Sequence, residues 1–125
     1  MAVTWLKAPE DHDYDAAADY LSLVADDAAV AAAVAELRDA AATFRKAKDI
    51  LRAAQLALLP RDNPRVKVDL KKIADGKKLS PILLVRGDFR RTLPLQVADG
   101  YHRVCASYLT DEDTPIPCRL VAWQP

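Results

Sequence analysis

Glycine is scarce in this 125-residue chain: there are three, Gly76, Gly87 and Gly100, spaced too far apart to form a multi-glycine phosphate loop. Dinucleotide fingerprints and P-loops need several glycines within one turn, so the sequence carries neither. Cysteine is equally sparse. Cys105 and Cys118 lack CxxC spacing and are too few for a metal cluster of their own, so both are expected to be free thiols in a reducing compartment. No apolar run approaches the roughly 18 residues of a membrane-spanning helix. The opening MAVTWLKAPEDHDYD has no signal-peptide core. The expectation is a cytoplasmic protein with no membrane partner. Neither charge sign dominates, since 18 acidic residues balance 18 basic ones.

That balance is uneven along the chain. Residues 1–60 hold 10 acidic and 6 basic groups, whereas residues 61–125 hold 8 acidic and 12 basic, leaving the halves near −4 and +4. An anionic ligand on the second half would account for this, and so would mutual attraction between two packed halves. The length suits a single domain, residues 1–125, with a core that needs no disulfide or structural metal.

Nearly all the alanines precede Pro60, and Val, Ile and Pro dominate afterwards, which predicts helices followed by strands. Ala17, Tyr20, Leu21 and Val24 fall at helical spacing over Tyr14–Val24, with Asp13 as a cap. Val30, Val34 and Leu37 define a second helix that begins near Asp26-Asp27. Phe44, Ala47, Ile50, Leu51, Ala54 and Leu58 predict a third over Thr43–Leu58, stopped by Pro60. After the turn at residues 61–64, Val66 and Val68 alternate as a short strand, and Leu70–Gly76 forms a brief helical turn. The run Ile82-Leu83-Leu84-Val85 reads as a central strand, Leu95–Val97 as another, His102–Leu109 as a helix and Ile116–Val121 as a last strand. Segregated helices and strands imply an α+β fold, with a helical N-terminal part (1–60) packed on a small mixed sheet formed by 61–125.

The chemistry concentrates at LQVADGYHRVCASYL, residues 95–109, where strand gives way to helix at Asp99-Gly100. A helix start presents backbone N–H groups without intrahelical partners and a partial positive charge, so His102 and Arg103 placed there suit an anion such as phosphate. An ordinary turn, with Asp99 capping and two solvated side chains, would have the same sequence.

Two segments carry a family resemblance. Leu79-Ser80-Pro81-Ile82-Leu83-Leu84-Val85 is similar to a "Pro-Ile-x-Val" strand, and Val97–Ala106 to a "Gly-x-His-Arg-x-x-Ala" box. Over about residues 65–123 the chain thereby resembles the ParB/sulfiredoxin superfamily, whose box holds nucleotide phosphates. The resemblance implies a nucleotide or other phosphorylated ligand bound by Gly100, His102 and Arg103, and Tyr101 and Ser80, within the two matching segments, are further candidate contacts. A nucleoside triphosphate with magnesium is the expected cofactor; if hydrolysis or phosphoryl transfer follows binding, His102 and Asp99 are the catalytic candidates and Asp13 and Asp99 the candidate metal ligands. Tyr101 stands where sulfiredoxin has its catalytic cysteine, so sulfinic-acid reduction is not expected. The sequence stops at Pro125, soon after the last strand, so ParB-type operator binding is not expected either. The competing class is a non-enzymatic interaction or regulatory module with a vestigial box.

Other clusters are weaker. Asp11–Asp15 lacks the glycine and the bidentate acid of a calcium loop and reads as a helix start. If this lead-in folds over the His102 helix, His12 with Asp11 or Asp13 could supply a base or a magnesium contact. Arg45, Lys48 and Arg52 would share one face of the third helix, most simply a solvated one. Residues 61–98 carry 10 basic against 4 acidic groups, but Phe89 is their sole aromatic. Nucleic acid is therefore a conceivable partner through general positive charge rather than through a stacking platform.

Overall fold

A computed structural model of the chain describes residues 2–123. Its elements are α1 (Asp11–Leu21), α2 (Asp27–Asp39), β1 (Ala42–Lys46), α3 (Ala47–Ala54), α4 (Pro64–Ala74), β2 (Ile82–Val85), a 3₁₀ turn (Phe89–Arg91), β3 (Gln96–Asp99), α5 (Tyr101–Thr110) and β4 (Pro115–Val121). The four strands form one mixed sheet in the order β1-β4-β2-β3. β2 and β4 run parallel, and the two outer pairings are antiparallel. The fold is α+β.

β2 explains the layering. All four residues of Ile-Leu-Leu-Val are buried, and strand alternation sends them to opposite faces. Leu83 and Val85 join Tyr14, Leu21, Val30 and Leu37 under α1 and α2. Ile82 and Leu84 join Ile50, Val66, Ile73 and Val104 under α3, α4 and α5. The sheet is thus covered on both sides, with the first two helices on one face and the next three on the other.

Three segments depart from the sequence reading, the first being α1, which spans Asp11–Leu21 rather than Tyr14–Val24 and leaves residues 22–24 in a turn with Val24 exposed. Residues 43–58 do not form one helix: Ala42–Lys46 is an edge strand paired with β4, from Ala42 opposite Arg119 to Lys46 opposite Pro115, and α3 begins only at Ala47. Hydrogen bonding to β4 outweighs a helical spacing that Phe44 merely completes, and Phe44 itself is exposed. Arg45 therefore lies on a strand and does not share a helix face with Lys48 and Arg52.

Residues 66–68 are likewise not a strand. Asn63 Oδ1 accepts hydrogen bonds from the N–H groups of Arg65 (3.1 Å) and Val66 (3.2 Å), and Pro64 occupies the first turn of α4. This cap and N1 proline start a helix that buries Val66 and Ile73. The strands at 82–85, near 95–97 and at 116–121, and the helix at 102–109, lie where the sequence predicts them, within a residue or two.

Candidate functional site

The N-terminal lead-in shapes the site. Leu6 N–H donates to Leu79 O (2.8 Å) and Leu79 N–H to Thr4 O (2.9 Å), tying residues 4–6 beside the approach to β2. α1 consequently starts against Ser80. Asp13, 2% exposed, accepts from Glu10 N–H at 2.9 Å and from the Ser80 hydroxyl. Its capping role is thus to close the first turn from within, Glu10 being the N-cap residue.

At the other side of this junction, β3 ends at Asp99 and α5 begins at Tyr101. Gly100 makes the turn with φ +115°, a conformation that L side chains rarely adopt, and a Cβ there would collide with Ile82 Cδ1. Having no side chain, Gly100 cannot cap α5, so the first-turn N–H groups remain available. Arg103 folds back toward the sheet. Its Nη2 donates to Asp99 Oδ2 (2.8 Å), and its Nη1 lies 3.9 Å from Asp13 Oδ1. The side chain is 18% exposed, and Nε is buried without a partner. Arg103 is a brace between two carboxylates more than a hand extended to solvent.

α4 packs on α5 and completes a polar cleft of about 320 Å³. Arg65, Asp69 and Lys72 come from one face of α4 at helical spacing, and Gly100, Tyr101, His102 and Arg103 from the α5 start. Asp99 and His12 also line it. The lead-in therefore does lie over the His102 helix, and both histidines of the chain face one cleft. His12 Nδ1 is 3.4 Å from Glu10 Oε2, and its Nε2 is 3.4 Å from Asp13 Oδ1.

Arg65 and Lys72 are exposed, and neither is held in an ion pair among the described residues. Burial and the nearby Arg65 cation push the His102 pKa down, favouring the neutral imidazole. Burial pushes Asp69 and Asp99 up. Arg103 opposes both shifts, and Asp13 reinforces that of Asp99.

The expected site residues thus divide. Gly100, Tyr101, His102, Arg103 and Asp99 meet at the cleft, although the Tyr101 hydroxyl is turned to donate to Ala57 O. Ser80 and Asp13 lie behind Arg103, hydrogen-bonded to each other. Asp13 and Asp99 do not fit a magnesium site, since both face the Arg103 guanidinium. Among the described residues no three His, Cys, Asp or Glu side chains converge as metal ligands. The sequence reading missed Arg65, Asp69 and Lys72 because it broke α4 into a strand and a turn. The Asn63-Pro64 start and the i, i+4, i+7 spacing of Val66, Leu70 and Ile73 were the signal for one helix. Cys105 and Cys118 are buried free thiols away from the cleft, and burial pushes Cys118 up to about 12, so neither is a ready nucleophile.

No protein-family model matches the chain, and neither does any curated protein or solved structure.

Proposed function

We propose that the chain binds a phosphorylated small molecule, a nucleotide by its phosphate end, in the cleft between α4 and α5. The observation that carries this reading is the pairing of Arg65 and Lys72, two cations without ion-pair partners among the described residues, with the uncapped start of a ten-residue helix. Backbone N–H groups and side-chain cations converging on one pocket are what a phosphate needs, and carboxylate or apolar ligands need less. The resemblance of residues 79–85 and 97–106 to the ParB/sulfiredoxin superfamily supports the same location.

His102 donates one hydrogen bond to a phosphate oxygen as a neutral ring, and Arg103, held by Asp99 and Asp13, fixes the helix start. If phosphoryl transfer or hydrolysis follows binding, Arg65, Lys72 and the α5 amides stabilise charge on the transferring oxygens, and His102 or His12 accepts the proton of the attacking group. Any magnesium would arrive on the nucleotide's own phosphates, because Asp13 and Asp99 are engaged by Ser80 and Arg103 and Asp69 alone does not make a metal site.

Calorimetric titration with ATP, CTP, GTP, UTP and pyrophosphate, with and without magnesium, tests the reading. Arg65→Ala and Lys72→Ala should each remove about 1.5–3 kcal/mol of binding, roughly tenfold or more in affinity, and leave the exposed positions' contribution to stability small. A full set of flat titrations on folded protein would favour the interaction-module reading instead.

A further inference from the structure

The loop joining β2 to β3 lies at the opposite end of β2 from the phosphate cleft. Arg86 N–H donates to Val121 O (2.8 Å), and Asp88 and Leu93 exchange two backbone hydrogen bonds of 2.9 Å. Asp88 Oδ1 accepts from Arg90 N–H at 2.9 Å, and Thr92, left-handed at φ 57°, closes the 3₁₀ turn through its N–H to Phe89 O. A Cβ on Gly87 would collide with the backbone of Leu93 and Pro94, so the loop is packed on itself.

This well-bonded loop holds Phe89 at 89% exposure. Exposed in this way the ring contributes no burial energy to the isolated protein and offers a partner a large apolar face. Across an open hollow of about 750 Å³ stands Trp123, 37% exposed, brought from the far end of the sequence by β4. Arg86, Arg90 and Arg91 line the same hollow, whose one acid among the described residues, Asp88, is already engaged with Arg90 N–H and, at 3.8 Å, with Arg91 Nε.

We propose that this hollow binds single-stranded nucleic acid, with unpaired bases stacked on Phe89 and Trp123 and phosphates held by Arg86, Arg90 and Arg91. Aromatic faces interleaved with guanidinium groups fit the alternation of base and phosphate along a strand. A duplex hides its base faces. An acidic peptide would meet the three arginines and give the two rings no planar partner. The proposal is independent of the α4–α5 cleft and stands or falls without it.

Fluorescence anisotropy with labelled oligothymidylate and oligouridylate of about 12 nucleotides tests it, the tighter of the two telling DNA from RNA. At about 50 mM salt both should bind, and log affinity should fall against log salt with a slope near −2, as for about three phosphate contacts. Phe89→Ala touches no core residue and should weaken binding at least roughly fivefold, with Trp123→Ala doing likewise. The double variant Arg90→Ala/Arg91→Ala should flatten the salt slope to about −1 or less. Absence of binding at low salt overturns the proposal. So does undiminished binding by Phe89→Ala, or equal affinity for a blunt duplex or for polyglutamate. The full panel of losses, with variants that melt like the parent, upholds it.

Discussion

Arg103 Nη2 and Asp99 Oδ2 stand 2.8 Å apart across the Gly100 turn, one from the first turn of α5 and the other from the last residue of β3. With Asp13 behind them, this pair joins α1, β3 and α5 at the wall of the cleft. Removing the cation leaves two carboxylates facing each other in a desolvated place. Arg103→Ala should therefore destabilise the fold by about 3 kcal/mol, measured by urea unfolding. A loss within about 0.5 kcal/mol would show the guanidinium to be a solvated first-turn side chain.

Gly100→Ala tests the turn. The positive φ and the collision with Ile82 Cδ1 act together, so the variant should lose about 1–3 kcal/mol of stability and weaken ligand binding by displacing the α5 start. Gly76→Ala is the control. It also has positive φ but meets nothing within 4 Å, so its cost should be the backbone strain alone, about 1–2 kcal/mol, with affinity unchanged.

The pH dependence follows from His102. Its folded pKa is lowered, so the folded chain binds fewer protons than the unfolded chain as pH drops through about 6.5, and this group's contribution to stability declines there. A bound phosphate reverses the preference, because it stabilises imidazolium. Affinity should increase as pH falls from neutrality toward the depressed free-state value, and His102→Gln should remove that increase. Identical pH profiles for the parent and His102→Gln would place the ring outside the phosphate's reach.

Asp69 gives a charge test with the opposite sign. Its carboxyl is pushed up, mainly by burial, so the folded state holds a proton more tightly than the unfolded state, and stability is lost as pH rises through that window. At pH 7 Asp69→Asn should be slightly more stable than the parent, by less than about 1 kcal/mol given its partial exposure, with the advantage gone below about pH 4. The same change removes a negative charge from the cleft and should tighten phosphate binding.

The legible parts of this fold were those with a local signature. Ile82–Val85 is an unbroken apolar run after a proline, and Gln96–Thr110 announces its strand, its glycine turn and its helix in order. β1 carries no such mark. Four of its five residues are exposed, and it exists because β4 offers hydrogen bonds to an edge. In α4, the brief alternation of Val66 and Val68 imitates a strand, and reading it so concealed the Arg65–Asp69–Lys72 face. What lay beyond sequence altogether were the long-range meetings. Nothing local brings Asp13 to Ser80 and Arg103, His12 to the His102 cleft, or Trp123 to Phe89. Each depends on where the sheet puts segments that are remote along the chain.

The central claim, a phosphate site at the start of α5, is tested most directly by backbone amide NMR during titration with pyrophosphate and with a nucleoside triphosphate. A bound phosphate should shift the amides of Tyr101, His102 and Arg103 most, with Arg65 and Lys72 next, and should leave those of the Phe89–Arg91 turn in place. Saturable shifts confined to that pattern, abolished by the double variant Arg65→Ala/Lys72→Ala, are the predicted result. Unmoved amides at residues 101–103 under saturating ligand, in a protein whose spectrum is otherwise well dispersed, would contradict the account.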